Sequence, residues 1–452
     1  MSSPRETSSG SALAMRAWTE PGSASGRLYA QARQVMPGGT SRLSLSMPPN
    51  PPYAVRGEGC WIVGLDGDRW LDGLNNFTAL IHGHAHPAIV EAAIRRIQSG
   101  TAFGMPSPEE TELATLLVDR LPSVERVTFA NSGTEAVMAA IRAARAFTGR
   151  PKIAKFEGAY HGTYDYAEVS QASSADNWGA LEAPASVARS KGTPPSVLSD
   201  VVVLPYNRPE LAVRRIEQEA GSLAAVILDP LASRVGLVPA RPGFLQAIRD
   251  VTAAHGILLI LDEVICLRLG YHGAQGFFGV RPDLTTLGKI IGGGFPVGAV
   301  GGRADVMAVF DPQGGTAAVS HGGTFTANPV TMAAGVAAMR LLDEVAFRRL
   351  DELGAKLRAG LEDCLKRAAV PGRVTGAGSL FRIHPVDREF VDYRGSQPDA
   401  AEAGRLKGWF RGLLERGVSV SPQGLGCLST PMGDAEIEVV IDAFAACLEA
   451  EG

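Results

Sequence analysis

Between about residue 86 and residue 310, short apolar runs alternate with helical patterns of roughly 10–15 residues, and this feature most narrows the folds open to the chain. VERVTFA (124–130) precedes the helical TEAVMAAIRAARAFTG (134–149), and KIAKF (152–156) follows as a strand. VVVLPY (201–206), a helix near 208–220, AAVILDP (224–230), a helix near 242–255 and ILLILDE (257–263) continue the series. Parallel strands need long crossovers, and helices in those crossovers cover both sheet faces. The pattern therefore predicts an α/β protein with a mostly parallel central sheet flanked by helices. Such a sheet takes ligands at the carboxyl ends of its strands.

The flanking segments read differently. Residues 1–25 are rich in Ser, Gly and Pro and are expected to be a disordered tail. A helix over about 26–36 ends at Pro37-Gly38-Gly39, and YAVRGEGCWIVGLDGDRWLDG (53–73) reads as a small hairpin region. Residues 26–75 are taken as a segment joining a small domain, 76–328 as a large domain, and 329–452 as a smaller α+β domain. In the last, long helical patterns (329–344, 345–369, 401–416, 434–450) alternate with short strands such as SLFRIHPV. Residues 166–199 interrupt the strand–helix series and read as a lid or a disordered loop.

Charge and cysteine usage exclude several functions. A net charge of -4 offers no electrostatic footprint for nucleic acid or an anionic membrane. No apolar run approaches the roughly 18 residues of a membrane span, and the N-terminus lacks an apolar signal core. The five cysteines, Cys60, Cys266, Cys364, Cys427 and Cys447, are odd in number and widely spaced. They read as buried thiols in a reducing compartment, so the expected location is cytoplasmic.

Five places carry chemical possibilities. Asn131-Ser132-Gly133-Thr134-Glu135 lies between a strand and a helix, where free backbone amides suit a phosphate or where Ser and Thr simply cap the helix. Asp262 ends an apolar strand, facing a ligand crevice or serving a structural salt bridge. Lys289, one of only seven lysines, sits in TTLGKIIGGGFP. Poor hydration there would depress its pKa and make it a nucleophile, unless it lies on a flexible surface loop. Gly158-Ala159-Tyr160-His161-Gly162 offers a ring to stack on a flat group, or a turn with a packed Tyr. Gly322-Gly323-Thr324-Phe325 is another anion contact or only a loop. His82, His84 and His86 in IHGHAHP are read as a turn without metal.

Taken together, MPGGTSR, GHAHP, FANSGTEAVMAAIRAAR, FEGAYHG, LDEV, PDLTTLGKIIGGGFPVGAVGGR and GGTFTANP, spanning about residues 35–345, resemble the class III aminotransferases of fold type I. The pattern is similar to both β-amino-acid aminotransferases, such as the β-phenylalanine enzymes, and glutamate-1-semialdehyde aminomutases. The resemblance implies pyridoxal 5'-phosphate as cofactor and Lys289 as the lysine that holds it as a Schiff base. It implies that Ser132, Gly133 and Thr134 cup the phosphate, with Tyr160 and Val264 on the two faces of the ring. Asp262 would pair with the ring nitrogen, with His161 beside it. Thr324 would reach the phosphate of a neighbouring subunit, which implies a homodimer. The segment 166–199 lies where the aminomutases have a gating loop. Asp229-Pro230 departs from the family's usual Glu-Pro.

At the substrate end, Arg42 matches the carboxylate-binding arginine of the β-phenylalanine type, and Phe77 matches an aromatic pocket position. DEVICLRLGYHG, with Arg268-Leu269, also follows that type and lacks the aminomutases' Thr-Gly-Phe-Arg. Gln423 stands where the β-phenylalanine enzyme has a second arginine, so pyruvate is expected to serve as well as 2-oxoglutarate. The expected activity is transfer of a β-amino acid's amino group to a 2-oxo acid. The alternative is an isomerase of the aminomutase type. A non-enzymatic regulator of the same fold is disfavoured, because Lys289 and Asp262 are intact and no helix-turn-helix precedes residue 30.

Overall fold

The computed structural model describes residues 17–313 and 315–450. Three strands open the chain: β1 (Ala54–Glu58), β2 (Trp61–Gly64) and β3 (Arg69–Asp72). Next come β4 (Arg126–Ala130) and β5 (Lys152–Phe156), a short pair β6 (Gly179–Ala180) and β7 (Ala183–Pro184), and β8 (Val201–Leu204). β9 (Leu223–Leu228), β10 (Leu258–Asp262), β11 (Leu284–Gly288) and β12 (Gly298–Gly302) follow. The C-terminal part holds β13 (Arg373–Thr375), β14 (Leu380–His384), β15 (Val418–Ser419) and β16 (Leu425–Cys427).

The central sheet has the order β4-β12-β11-β10-β9-β5-β8. All its strands run parallel except β12, which is antiparallel to both neighbours. Side-chain alternation explains why both faces are covered. Ile153, Val201, Val203, Ala225, Ile227, Leu258 and Ile260 turn toward the helix Gly133–Thr148, whose Ala136, Ala139, Ala140 and Ala143 allow a close approach. Phe156, Val202, Leu204, Val226, Leu228, Leu259 and Leu261 turn the other way, against Ile216, Phe244 and Ile248 of the helices Pro209–Glu219 and Phe244–Ala254. Each such leucine or isoleucine contributes about 1.5–3 kcal/mol when fully buried.

A second sheet joins the two ends of the chain. β15 pairs in parallel with β3, placing Val418 opposite Leu71 and Ser419 opposite Asp72. A third sheet, β13-β14-β16, lies in the C-terminal part, where the long helix Glu344–Ala368 packs on Asp434–Glu449. All five cysteines are free and buried. Among the described residues no helix is long and apolar enough to cross a membrane.

One expectation needs correction, and one open alternative closes. The tail expected over 1–25 falls in part on residues 1–16, outside the described residues, but from Ala17 onward the chain is packed. Trp18 is buried against Trp70 and Leu414, and its amide donates to Asp68 Oδ2 at 3.1 Å. An indole brings more apolar surface than the surrounding Ser and Gly residues suggest. The segment 166–199 is also folded. It carries the helices Asp165–Glu168 and Pro195–Ser199 and the β6–β7 pair. Lys155 Nζ donates to Val169 O at 2.6 Å, Tyr393 Oη to Ser173 O at 2.8 Å, and Arg394 Nη2 to Trp178 O at 2.9 Å. Tyr393 and Arg394 come from a distant part of the chain, which is why local composition read as a loop.

Gly298 opens β12, between Ala130 and Gly288, and a Cβ there would collide with the Ser132 carbonyl at the start of the helix Gly133–Thr148. Gly298→Ala should cost about 1–3 kcal/mol. The same change at Gly192, which has nothing within 4 Å, should leave the melting temperature unaltered. Equal thermal melts for the two variants would refute the close packing.

Candidate active site

The carboxyl edge of the central sheet gathers the sequence motifs. β4 runs into Asn131–Thr134, and β5 leads to Tyr160 and His161. β9 ends just before Asp229, β10 ends on Asp262, and β11 ends just before Lys289. Strand register adds Thr286, which lies opposite Asp262.

Asp262 is 4% exposed, so its charge depends on donors. Oδ2 accepts from His161 Nδ1 at 2.7 Å, while Oδ1 accepts from Val264 N at 3.1 Å and from Thr286 Oγ1 at 3.0 Å. Burial pushes this carboxyl up, but the His161 contact and the other donors outweigh it and hold the group below the usual carboxylate range. Burial pushes His161 below its usual value, so a neutral imidazole donates its Nδ1–H. Its Nε2 is buried without a partner among the described residues.

Lys289 has a φ of 51°, a left-handed conformation that costs a non-glycine residue about 1–2 kcal/mol. Burial pushes its ammonium below the usual lysine range, against the pull of Asp262 and Asp229, and the charge of Arg42 lowers it further. Among the described residues no hydrogen bond or ion pair anchors this ammonium.

The helix Gly133–Thr148 begins at the same edge. Ser132 Oγ accepts from Glu135 N at 3.2 Å, and Glu135 Oε2 accepts from Asn131 N at 2.7 Å. The Ser132 hydroxyl is therefore a helix cap, and the capping leaves the Gly133 and Thr134 amides free at the helix's positive end. A Cβ on Gly133 would sit 3.0 Å from Val264 Cγ1, so Val264 lies directly against this turn. Thr134 Oγ1 accepts from Thr163 N at 3.3 Å, which ties the Tyr160–His161 loop to the helix start. Tyr160 is exposed.

Arg42 Nη1 donates to Asn76 Oδ1 at 2.8 Å, and its guanidinium lies 4.9 Å from the Phe77 ring centroid. Asn75, Asn76, Phe77 and Thr78 have φ values of 50°, 49°, 55° and 73°, one turn of left-handed helix. Such a turn costs about 1–2 kcal/mol per residue and must be held from outside. Asn75 N donates to Asp72 Oδ1 at 2.8 Å, and its Nδ2 to Cys427 O at 3.0 Å. Arg268 completes the clamp. Its Nη1 reaches Thr78 O at 3.2 Å, its Nε reaches Ser379 Oγ at 2.9 Å, and its Nη2 reaches Leu428 O.

The structure thus brings Lys289, Asp262, His161, Val264, Gly133, Thr134 and Tyr160 to one edge, and pairs Arg42 with Phe77. Thr324 stands apart on an exposed loop, although neighbouring Gly323 packs near Asn131. Gln423 is exposed, and its carbonyl accepts from Arg382 Nε at 3.0 Å. Of the histidines in IHGHAHP, His82 Nε2 pairs with Ala338 O at 2.9 Å and His84 Nε2 with Asp72 Oδ2 at 2.8 Å. Sequence reasoning missed Thr286, which strand register alone reveals, and Asn76, whose only signal is that Asn tolerates positive φ. It also missed the partner of Asp229. Cys266 Sγ donates to Asp229 Oδ1 at 2.7 Å, and burial with the nearby Asp262 charge pushes the Asp229 carboxyl up to about 7.

Comparison with known proteins matches the chain to one family. The family model "Aminotransferase class-III" matches residues 46–432. The crystal structure of an omega-transaminase from Sphaerobacter thermophilus is 55% identical, with a TM-score of 0.95, covering 97% of this chain and 100% of that one. A β-phenylalanine aminotransferase from Variovorax paradoxus is 37% identical, with a TM-score of 0.86, covering 96% of each chain. A glutamate-1-semialdehyde 2,1-aminomutase of Methanothermobacter thermautotrophicus is 40% identical over 419 residues, 92% of this chain and 96% of that protein.

Arg268 is a buried cation bonded to three neutral oxygens. Arg268→Met should strip those acceptors of a donor and lower unfolding stability by about 1–3 kcal/mol. Arg268→Lys should recover only part, because an ammonium is a point charge without the guanidinium's fork. Denaturant titration measures both, and full stability in the Met variant would remove the clamp.

Proposed function

The chain belongs to the class-III aminotransferase family, and from that premise we propose that it moves the amino group of a β-amino acid, aromatic or aliphatic, to a 2-oxo acid. It is a pyridoxal-phosphate-dependent enzyme whose substrates are a small-molecule amino donor and a keto acid. The observation that carries the β-amino-acid reading is Arg42, a guanidinium stacked on Phe77 and within electrostatic reach of Lys289. A guanidinium fork suits a carboxylate, and Phe77 suits an aromatic or aliphatic substituent beside it. The Sphaerobacter and Variovorax enzymes support transfer, and the aminomutase relatives support the isomerase alternative.

The sheet edge fits pyridoxal phosphate on its own evidence. Free Gly133 and Thr134 amides suit a phosphate, with Ser132 capping the turn they sit on. The unanchored Lys289 ammonium suits an aldehyde, and Asp262 has acceptor capacity left for a protonated ring nitrogen. In this reading Tyr160 and Val264 take the two faces of the cofactor ring. When bound, the cofactor supplies an electron sink for the bond that breaks at the amine-bearing carbon. Asp262, kept ionised by His161, Thr286 and the Val264 amide, holds the positive charge that the sink requires. Lys289 Nζ, with its pKa depressed, takes and returns the proton at that carbon.

In the same reading, residues 76–328 form the large cofactor domain, and 329–452 with 26–75 form the small one, supported by the β3–β15 pairing. The active unit is a homodimer in which Thr324 reaches the partner's phosphate site, while Gln423 belongs to the substrate end. Support comes from exposed apolar side chains, Leu43 at 90% and Met105 at 80%, and from Phe325 beside Thr324 at 63%.

Two measurements test the reading. Pyridoxal phosphate added to the protein and reduced with borohydride should label Lys289 among the seven lysines, read by peptide mass spectrometry; label elsewhere contradicts the assignment. With 3-amino-3-phenylpropanoate and a 2-oxo acid, the amino group should appear on the acceptor. Arg42→Ala should lower kcat/KM by about 2–4 kcal/mol in barrier, roughly 30- to 1000-fold, and much less for an amine lacking the carboxylate. Conversion of glutamate-1-semialdehyde alone to 5-aminolevulinate, with no transfer from any β-amino acid, would establish the isomerase instead.

A further inference from the structure

Beyond Arg42, a second unpaired guanidinium stands near the reaction centre. Arg234 lies 5.6 Å from the ring centroid of Tyr160, the residue next to His161 and its Asp262 contact. It is exposed, and among the described residues no carboxylate lies within ion-pair distance of it and no hydrogen bond holds its guanidinium. Of the acids, Glu168 acts on it electrostatically without forming an ion pair. Glu157 is bonded by Arg394 at 2.7 Å and Ser173 at 3.1 Å, and Glu168 accepts from Ser190 Oγ at 3.0 Å. Two more cations reinforce Arg234, since Arg189 and Arg382 both interact with it electrostatically. Arg382 is buried and clamped to neutral oxygens, Ser233 O at 2.6 Å and Gln423 O at 3.0 Å. Through Arg382, the uncharged Gln423 is tied to the very segment that carries Arg234. The positive charge absent from the Gln423 side chain is therefore present on a neighbouring segment.

We propose that Arg234, backed by the field of Arg189 and Arg382, is a second anion subsite beside Tyr160 that takes the distal carboxylate of a dicarboxylic 2-oxo acid. The ligand class rests on the aminotransferase reading, which makes a 2-oxo acid the acceptor. An exposed, unpaired guanidinium gains most from a carboxylate it can grip with two N–H groups. The cofactor's phosphate is served by the Gly133 and Thr134 amides, and Arg42 serves a carboxylate nearer Lys289. Arg234 is left for a second carboxylate on the same substrate, so 2-oxoglutarate is favoured over pyruvate despite Gln423.

Calorimetric titration of the holoenzyme with glutarate and with butyrate tests the subsite without any turnover. The wild type should prefer glutarate, and Arg234→Gln should reduce that preference roughly tenfold or more, with Arg234→Lys restoring part of it. The kcat/KM ratio of 2-oxoglutarate to pyruvate, measured with whichever amine the enzyme accepts, should fall by a similar factor. A wild type indifferent to the second carboxylate, or an Arg234→Gln variant with an unchanged glutarate-to-butyrate ratio, overturns the proposal. Failure of every β-amino acid as donor would sink the donor reading alone, because the titration involves no donor.

Discussion

An ionised carboxylate inside a protein has to be surrounded by donors, and at Asp262 that requirement organises the molecule. Its donors come from three segments: His161 after β5, the Val264 amide just past β10, and Thr286 within β11. They converge only if β10 sits in the middle of the sheet with β11 beside it in the observed register. The chemistry of one side chain is thus coupled to strand order. Glu263, the next residue, shows the contrast. It takes hydrogen bonds from Ala274 N and from Gln275, yet burial pushes it up to about 7. Adjacent acids on one strand end are driven apart by their surroundings, and only Asp262 is held firmly as an anion.

Backbone strain is present among the candidate site residues as well. Lys289 and the turn Asn75–Thr78 hold left-handed conformations that short peptides would abandon. They persist because both are tied to rigid neighbours: Lys289 to the end of β11, and the turn to Asp72, Cys427 and Arg268. The turn sets Asn76 and Phe77 against Arg42, so strain in one segment positions a cation belonging to another.

The arginines around the site divide by what holds them. Arg268 and Arg382 are buried, and backbone carbonyls and a hydroxyl meet their donors. Their work is to fix loops. Arg42 and Arg234 are exposed, and each rests on an aromatic ring. A guanidinium without a protein carboxylate is the arrangement that binds an anionic substrate, and Arg42 is also felt by the depressed Lys289.

By itself, the sequence determined the alternating strands and helices, the largely parallel sheet, and the family, because period, strand length and motif order are local properties. It also singled out Asp262 and Lys289, since an acid ending an apolar strand and a lysine among glycines stand out in one dimension. It misjudged residues 17–25 and left the order of 166–199 open, because both depend on Trp70, Leu414, Tyr393 and Arg394 far along the chain. Tertiary structure alone decided that Thr286 meets Asp262, that Cys266 meets Asp229, and that Arg268 holds a left-handed turn. It alone placed Arg234 beside Tyr160 and within the field of Arg382. Each of these depends on strand register or on contacts between segments tens or hundreds of residues apart, and no local pattern in the chain encodes them.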